Sequence, residues 1–181
     1  MRTPTSTPSA PLVLHYTLRR CVLGQVLVAA TSKGIAAVLL GDSKTALIDD
    51  LQQRYPHAQI DTGGPLLHRW SDTVLELLDH PKLPHVVPLD AINGTDFQRK
   101  VWSALRQIPP GQTRTYTQVA QALGQPQAVR AVASACAANP LAVLVPCHRV
   151  LRSDGGLGGY RWGVARKQQL LALEGALPLA K

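Results

Sequence analysis

The residues with chemistry to offer converge on Pro146-Cys147-His148-Arg149, which follows the apolar run Leu141-Ala142-Val143-Leu144-Val145. A cysteine at the end of a buried strand, with a histidine beside it, suggests an activated thiolate. The thiolate is the nucleophilic form, and a nearby base or positive field raises its fraction at neutral pH. His148, Arg149 and Arg152 are placed to supply both. Adjacent residues of an extended segment point to opposite faces, so proton transfer from Cys147 to His148 is expected through one intervening water. A single cysteine is more often a small buried hydrophobe. What gives this one weight is the pattern of charge and helices around it.

The chain has 181 residues, 45% of them hydrophobic, which is enough for one large or two small domains. Its formal charge of +8 is unevenly spread. Residues 1–94 hold eight basic and eight acidic side chains and sum to zero, whereas residues 95–175 hold ten basic and three acidic, giving +7. The basic half carries Cys147 and reads as a polyanion-binding surface, with nucleic acid favoured as the partner. Cys21, Cys136 and Cys147 are not closely paired, which argues against a disulfide framework and for a reducing compartment. No Cys-x-x-Cys occurs and the histidines are scattered, so no metal site is expected. Residues 1–11 are rich in Thr, Ser and Pro and lack the apolar core of a signal peptide. No run approaches the roughly 20 apolar residues of a membrane span. A cytoplasmic, soluble protein is expected.

The elements that must position Cys147 follow from periodicity. Leu12–Leu18, Gln25–Thr31 and Ile35–Leu40 read as strands, and Lys44–Tyr55 and Pro65–Asp79 as amphipathic helices. A short strand near His85–Leu89 closes a small α/β domain. In it, His68 and Trp70 are better explained by surface position and packing than by chemistry. Turn residues at Asn93-Gly94 coincide with the change in charge balance and mark a boundary. Beyond it the pattern is helical. Thr95 and Gln98 have capping-box spacing, and Phe97, Val101, Trp102, Leu105 and Ile108 form one apolar face ended by Pro109-Pro110-Gly111. A short helix over Thr117–Leu123, a break at Gly124-Gln125-Pro126 and a helix over Gln127–Asn139 have helix-turn-helix form. The apolar run before Cys147, a glycine-rich loop at 155–159 and a final helix to Glu174-Gly175 complete the half.

The helix over 127–139 has one long polar side chain, Arg130, among small residues. Major-groove readers normally carry several Arg, Asn or Gln. Two readings stand at this point. The helix lies close against a nucleic-acid backbone or shallow minor groove with Arg130 as its probe, or it is a core helix from which Arg130 snorkels. In the first, Arg130 has a use: an enzyme that acts on a base extrudes it from the stack, and a side chain fills the gap. Tyr116, at the entry to the helix pair, either meets that base or anchors the helix.

Taken together, Phe97-x-x-x-Val101-Trp102, Tyr116, residues 128–139, Pro146-Cys147-His148-Arg149-Val150 and Gly159-Tyr160-Arg161-Trp162-Gly163-Val164 resemble the O6-alkylguanine-DNA alkyltransferase family. The likeness is greatest to its bacterial adaptive-response members. It spans residues 12–175 and is strongest over 95–175. It implies an α+β chain: a small ribonuclease-H-like α/β domain over 12–94, then a mainly helical domain with a helix-turn-helix over 95–175, with tails at 1–11 and 176–181. It also implies a suicide repair protein that moves the alkyl group from O6 of guanine, and the methyl of O4-methylthymine, to Cys147 and keeps it as a thioether. By resemblance, His148 is the base through a water, Glu174 orients His148 and Asn139 supports the site beside the sulfur. Tyr116 donates to the departing guanine, which lowers the transition state. Val150, Tyr160 and Arg161 line the guanine pocket. Arg130 replaces the flipped nucleotide, and Thr117, Gln118 and Ala131 join it on the DNA.

Position 161 varies in the family, so Arg161 bears on how bulky a substituent the pocket admits. Adaptive-response members carry a preceding zinc-bound methyl-acceptor domain. With residues 1–11 ahead of the α/β domain, that activity is not expected here. The implied partner is double-stranded DNA containing O6-alkylguanine, with no cofactor, metal, membrane or obligate protein partner, and a monomer is expected. The main alternative is a non-catalytic alkyl-damage sensor, but sensors of that type lack the acceptor cysteine. A cysteine hydrolase leaves Arg130 and the basic half unexplained.

Overall fold

The computed structural model describes residues 11–90 and 93–177. The tail assigned to residues 1–11 lies outside the described residues but for Pro11, as do residues 178–181. The chain is a mixed α+β structure. Strands β1 (Val13–Cys21), β2 (Gly24–Ala30), β3 (Ile35–Gly41) and β4 (Gln59–Thr62) form one sheet in the order β3-β2-β1-β4. β1, β2 and β3 run antiparallel in sequence, and β4 lies parallel to β1. Helix α1 (Lys44–Arg54) packs on β2 and β3, and α2 (Pro65–Asp79) on β1 and β2. Pro65 opens α2 where its missing N–H costs nothing, and Leu67, Ser71, Val74 and Leu78 form the buried stripe that the helical period requires.

β3 is buried along its length, which matches its unbroken apolar sequence. Its outer edge is covered by chain from elsewhere. Ile35 donates to the Pro88 carbonyl at 2.8 Å, Val38 to that of Pro140 at 2.8 Å, and Ala142 donates back to Val38 at 3.0 Å. The segment that leads to Cys147 is thus stitched to the sheet edge, which also satisfies backbone groups that would otherwise be open.

The second half contains α3 (Asp96–Leu105), β5 (Arg114–Thr115), α4 (Tyr116–Ala122), α5 (Val129–Ala138), a single 3₁₀ turn (Cys147–Arg149), β6 (Val150–Leu151) and α6 (Val164–Leu173). The expected capping box is present: the Gln98 amide donates to Thr95 Oγ1 at 3.2 Å and the Thr95 amide to Gln98 Oε1 at 2.9 Å. Thr115 and Gln118 form a second box at the start of α4. Val101, Trp102 and Leu105 are buried, and Trp102 Nε1 donates to the Ala135 carbonyl at 2.8 Å, pinning α3 to α5.

Four expectations change. Residues 85–89 are not a strand. Only Leu89 bridges to Ile35, because Pro81, Pro84 and Pro88 remove donors from the segment. β4 was not expected, since Gln-Ile-Asp-Thr lacks apolar alternation and exists as a strand by pairing with the free edge of β1. Residues 141–145 do not form a strand either: Leu141 bridges to Val38, and the chain then turns, with Val143 at φ 61°. Helix α5 begins at Val129, after a turn closed by Ala128 N–H on the Gln125 carbonyl at 2.9 Å, so Pro126 precedes the helix.

Candidate active site

Cys147 begins a 3₁₀ turn and is almost fully buried. Asn139, at the C-terminus of α5, holds that turn in place. Its Nδ2 donates to the Val145 carbonyl at 2.9 Å, the Leu141 carbonyl at 3.3 Å and Cys147 Sγ at 3.3 Å, while Oδ1 accepts from the Leu141 amide at 2.8 Å. One buried amide side chain therefore ties the end of α5, the returning loop and the sulfur together. A partner of this kind is required, because an unsatisfied buried amide is costly.

Behind the thiol lies a buried trio. His148 Nε2 is 2.8 Å from Glu174 Oε1, and Arg149 donates to the same carboxylate through Nε at 3.0 Å and Nη2 at 2.8 Å. Burial alone would raise the Glu174 carboxyl, but hydrogen bonds from His148 and Arg149 outweigh it and hold it down to about 2. Burial lowers His148 despite the pull of Glu174, so the ring is neutral. An ionised carboxylate only accepts, so Nε2 carries the proton and donates to Glu174. Nδ1, buried and without a hydrogen-bond partner among the described residues, is the basic nitrogen.

Burial pushes the Cys147 thiol up to about 11, against the Asn139 hydrogen bond and the charge of Lys167. At rest the group is a thiol, not the activated thiolate anticipated from its neighbours. Those neighbours are committed elsewhere: Arg149 to Glu174, and exposed Arg152 to Asp154 at 2.8 Å. The local cation is instead Lys167 of α6. It is fully buried, with Nζ donating to the Val150 carbonyl at 2.6 Å and the Gly159 carbonyl at 3.2 Å, and it lies 5.9 Å from the centre of the Tyr116 ring. Sequence reading passed over this residue. Its trace was present, since Lys167, Leu170, Leu171 and Glu174 share one helix face, and a lysine in such a stripe is an anomaly.

Cys147 contributes to a cavity of about 330 Å³, walled also by Tyr116, Ala133, Cys136, Tyr160 and Arg161. Tyr116 is half-buried, and burial pushes its hydroxyl up to about 12, so it is protonated at neutral pH. Its hydroxyl would lie 3.2 Å from a Cβ at position 158, where Gly158 also has φ 68°, so that position takes no side chain. Tyr160 is half-buried, edge-on to His148 at 6.5 Å between ring centres. Val150 is fully buried and does not line the cavity; its carbonyl accepts from Lys167 Nζ at 2.6 Å. Arg161 reaches out of the cavity to the Ala137 carbonyl at 3.3 Å and to Asp50 of α1 at 3.1 Å. Sequence reading also missed Cys136, a second buried thiol in the wall, and nothing in the spacing marks it.

Helix α5 is two-faced. Val132, Ala135 and Cys136 are buried, while Arg130, Ala131, Ser134 and Ala137 are exposed along the other side. It is not a helix packed all round, and Arg130 projects from a strip of small residues beside the cavity wall. Thr117 is half-buried and Gln118 exposed, with the Gln118 carbonyl oxygen engaged in the cap of α4. A larger depression of about 680 Å³ lies between β1, the β2–β3 turn and α2, remote from Cys147. Among the described residues no group of His, Cys, Asp and Glu side chains is arranged to hold a metal, and no helix is long and apolar enough to cross a membrane.

The arrangement is that of a buried sulfur nucleophile in a base-sized cavity, walled by a helix whose open face is small and basic. Residues 96–176 match the family described as 6-O-methylguanine DNA methyltransferase, DNA binding domain. The chain is 52% identical over 163 residues to the bifunctional transcriptional activator/DNA repair enzyme Ada of Escherichia coli, covering 90% of this chain and 46% of that protein. It is thus similar to less than half the length of the Ada proteins it matches. It is 37% identical to the inducible methylated-DNA–protein-cysteine methyltransferase of Bacillus subtilis, covering 81% of this chain and 82% of that one. The crystal structure of Mycobacterium tuberculosis OGT in complex with DNA superposes with a TM-score of 0.71 at 32% identity, covering 90% of this chain and 92% of that one. The chain belongs to the methylated-DNA–protein-cysteine methyltransferase family.

Proposed function

We propose that this protein reverses alkylation of guanine in DNA by moving the O6 alkyl group irreversibly to Cys147, once per chain. The observation that carries this reading is the seating of the Cys147 thiol in a cavity walled by α5, with Asn139 on the sulfur and the His148–Glu174 pair behind it. The family membership and the DNA complex of a relative support duplex DNA as the partner. O4-methylthymine is a second substrate. α4 and α5 act as a helix-turn-helix over the minor groove, and the small exposed strip of α5 lets it approach closely. Arg130 fills the stack as the damaged base turns into the cavity, and Thr117, Gln118 and Ala131 meet the flanking backbone.

In the transfer, the bond between the alkyl carbon and O6 breaks as the carbon–sulfur bond forms. The thiol proton passes through a water to His148 Nδ1, and Glu174 stabilises the imidazolium until it loses that proton to solvent. Lys167 stabilises the sulfur as it becomes anionic. Tyr116 donates a proton to guanine, which leaves neutral, and recovers one from solvent. Tyr160 and Arg161 hold the base. A thioether is a poor leaving group, and burial pushes the neighbouring Cys136 thiol up to about 12, so nothing removes the alkyl group and the protein is consumed. On this reading residues 12–94 are a ribonuclease-H-like scaffold and residues 95–175 the DNA-binding and acceptor domain. The protein works as a cytoplasmic monomer without cofactor or obligate protein partner.

Cys147→Ala tests the assignment. With duplex DNA carrying radiolabelled O6-methylguanine, the variant is expected to bind as the unsubstituted protein does and to acquire no label. Label retained by the variant would move the acceptor to another residue. Equal binding with no label on either protein would make this a damage sensor.

A further inference from the structure

We infer that Asp50 of α1 sets the size of the O6 substituent that the thiol cavity admits, by holding Arg161 as the wall between that cavity and a neighbouring crevice. This rests on the alkyl-transfer reading above. Arg161 belongs to two spaces at once. One is the cavity of about 330 Å³ that contains Cys147. The other is a crevice of about 450 Å³ between the start of α1 and the loop before α6, to which Asp42, Ser43, Asp50, Trp162 and Arg166 contribute.

The guanidinium is fixed at two points. Nη1 donates to the Ala137 carbonyl of α5 at 3.3 Å, and Nη2 to Asp50 Oδ1 at 3.1 Å, across 111 residues of sequence. The same Asp50 oxygen accepts from Arg54 Nε at 3.2 Å. Asp50 therefore stands between two guanidinium groups. Without its carboxylate the two cations repel, and Arg161 keeps only one long bond to a neutral carbonyl. The Arg54 side chain is 14% exposed and that of Arg161 33% exposed, so Arg161 is the group free to move. It moves outward. The side-chain acceptors of the cavity wall are all neutral, the hydroxyls of Tyr116 and Tyr160 and two thiols, whereas the crevice side holds the Asp42 carboxylate and opens to water, which favours a guanidinium more. The cavity and the crevice then join. A methyl group gains nothing from the added space, but a benzyl group does. Asp50 is thus a positioning residue, and the N-terminal half takes part in substrate selection through it. The Arg161–Asp50 pair is exposed and contributes little to stability, but Asp50 is also the partner of the more buried Arg54, so Asp50→Asn, which keeps an acceptor for Arg54, serves with thermal melting as the control for the fold.

The test compares single-turnover alkylation of Cys147 by duplex O6-methylguanine and by free O6-benzylguanine in the unsubstituted protein, Asp50→Ala and Asp50→Asn. Asp50→Ala is expected to raise the benzyl rate relative to the methyl rate about tenfold, the scale on which pocket size discriminates substrates, any loss of Arg161's hold on the base being common to both. Asp50→Asn keeps an acceptor without the charge and is expected to fall between. A benzyl-to-methyl ratio that does not move overturns the proposal, whether both rates are unchanged or both fall together. A second measurement does not depend on repair: modification of Cys147 by iodoacetamide and by N-benzylmaleimide at one pH, located by peptide mapping. Asp50→Ala should accelerate the bulky reagent alone. If it does so while the unsubstituted protein takes no methyl from DNA, the repair reading fails and the wall stands. If methyl transfer is intact and neither bulky probe gains, the wall fails alone.

Discussion

At the scale of single residues, the proposed transfer depends on groups held beforehand in the protonation states it needs. Asn139 and Lys167 draw the Cys147 sulfur toward its anionic form, but burial outweighs them and leaves a thiol near 11. The thiolate is a small minority at neutral pH, which slows reaction of Cys147 with adventitious electrophiles in the free protein. On the proposed reading, reactivity appears when the substrate fills the cavity and the proton passes to neutral His148, with Glu174 beside it. The sign is definite: a raised thiol pKa means that intrinsic reactivity grows with pH until the thiol has ionised. Alkylation of Cys147 by iodoacetamide, mapped to its peptide, should therefore rise about tenfold per pH unit from neutrality toward about 11. A plateau below pH 8 would mean a preformed thiolate and a different activation of the sulfur.

At the scale of elements, α5 does three things. Its buried face packs under Trp102, its end delivers Asn139 to the acceptor turn, and its open face presents Arg130 over small residues. On the proposed reading, the small side chains there let α5 approach DNA closely, and Arg130 is the one long probe. Arg130→Ala should slow repair in duplex DNA by about tenfold or more, because the stack then closes behind the extruded base at a cost of a few kcal/mol. Reaction with free O6-benzylguanine, which needs no extrusion, should be unchanged. Equal losses on both substrates would remove Arg130 from base extrusion.

Elements of this kind were legible where their periodicity was strong. α1 and α2 begin and end within a residue of expectation, and the Thr95–Gln98 box was readable from spacing alone. β4 was not, because Gln59–Thr62 takes its strand form from β1 rather than from its own composition. Residues 141–145 looked like a strand because a turn buried on both sides is as apolar as one. In the site, Cys147 and His148 stood out by motif, Asn139, Glu174 and Tyr116 came from the family resemblance, and hydrogen bonds tie Asn139 to Cys147 and His148 to Glu174. Lys167 was missed because a motif search weighs neighbours along the chain, whereas this lysine bears on Cys147 from α6 through its charge.

At the scale of the whole molecule, the two halves are joined where the chemistry is. β3 pairs with the segment at Pro140–Ala142, which follows Asn139 directly. Arg166 donates to the Leu23 carbonyl at 2.9 Å and to Asp42 at 2.6 Å, and Arg161 reaches Asp50. The sheet is a backing plate for the acceptor turn, which gives a structural reason for a half that carries no nucleophile of its own in the cavity. None of these links can be read from sequence, since each joins residues more than a hundred positions apart.

The measurement that bears most directly on the whole account is the intact mass of the protein after incubation with excess duplex DNA containing a single O6-methylguanine, followed by peptide mapping. The account predicts a gain of one methyl group, saturating at one per chain and located on Cys147. An unchanged mass on a protein that still binds the damaged duplex, or a methyl group on any other residue, would contradict it.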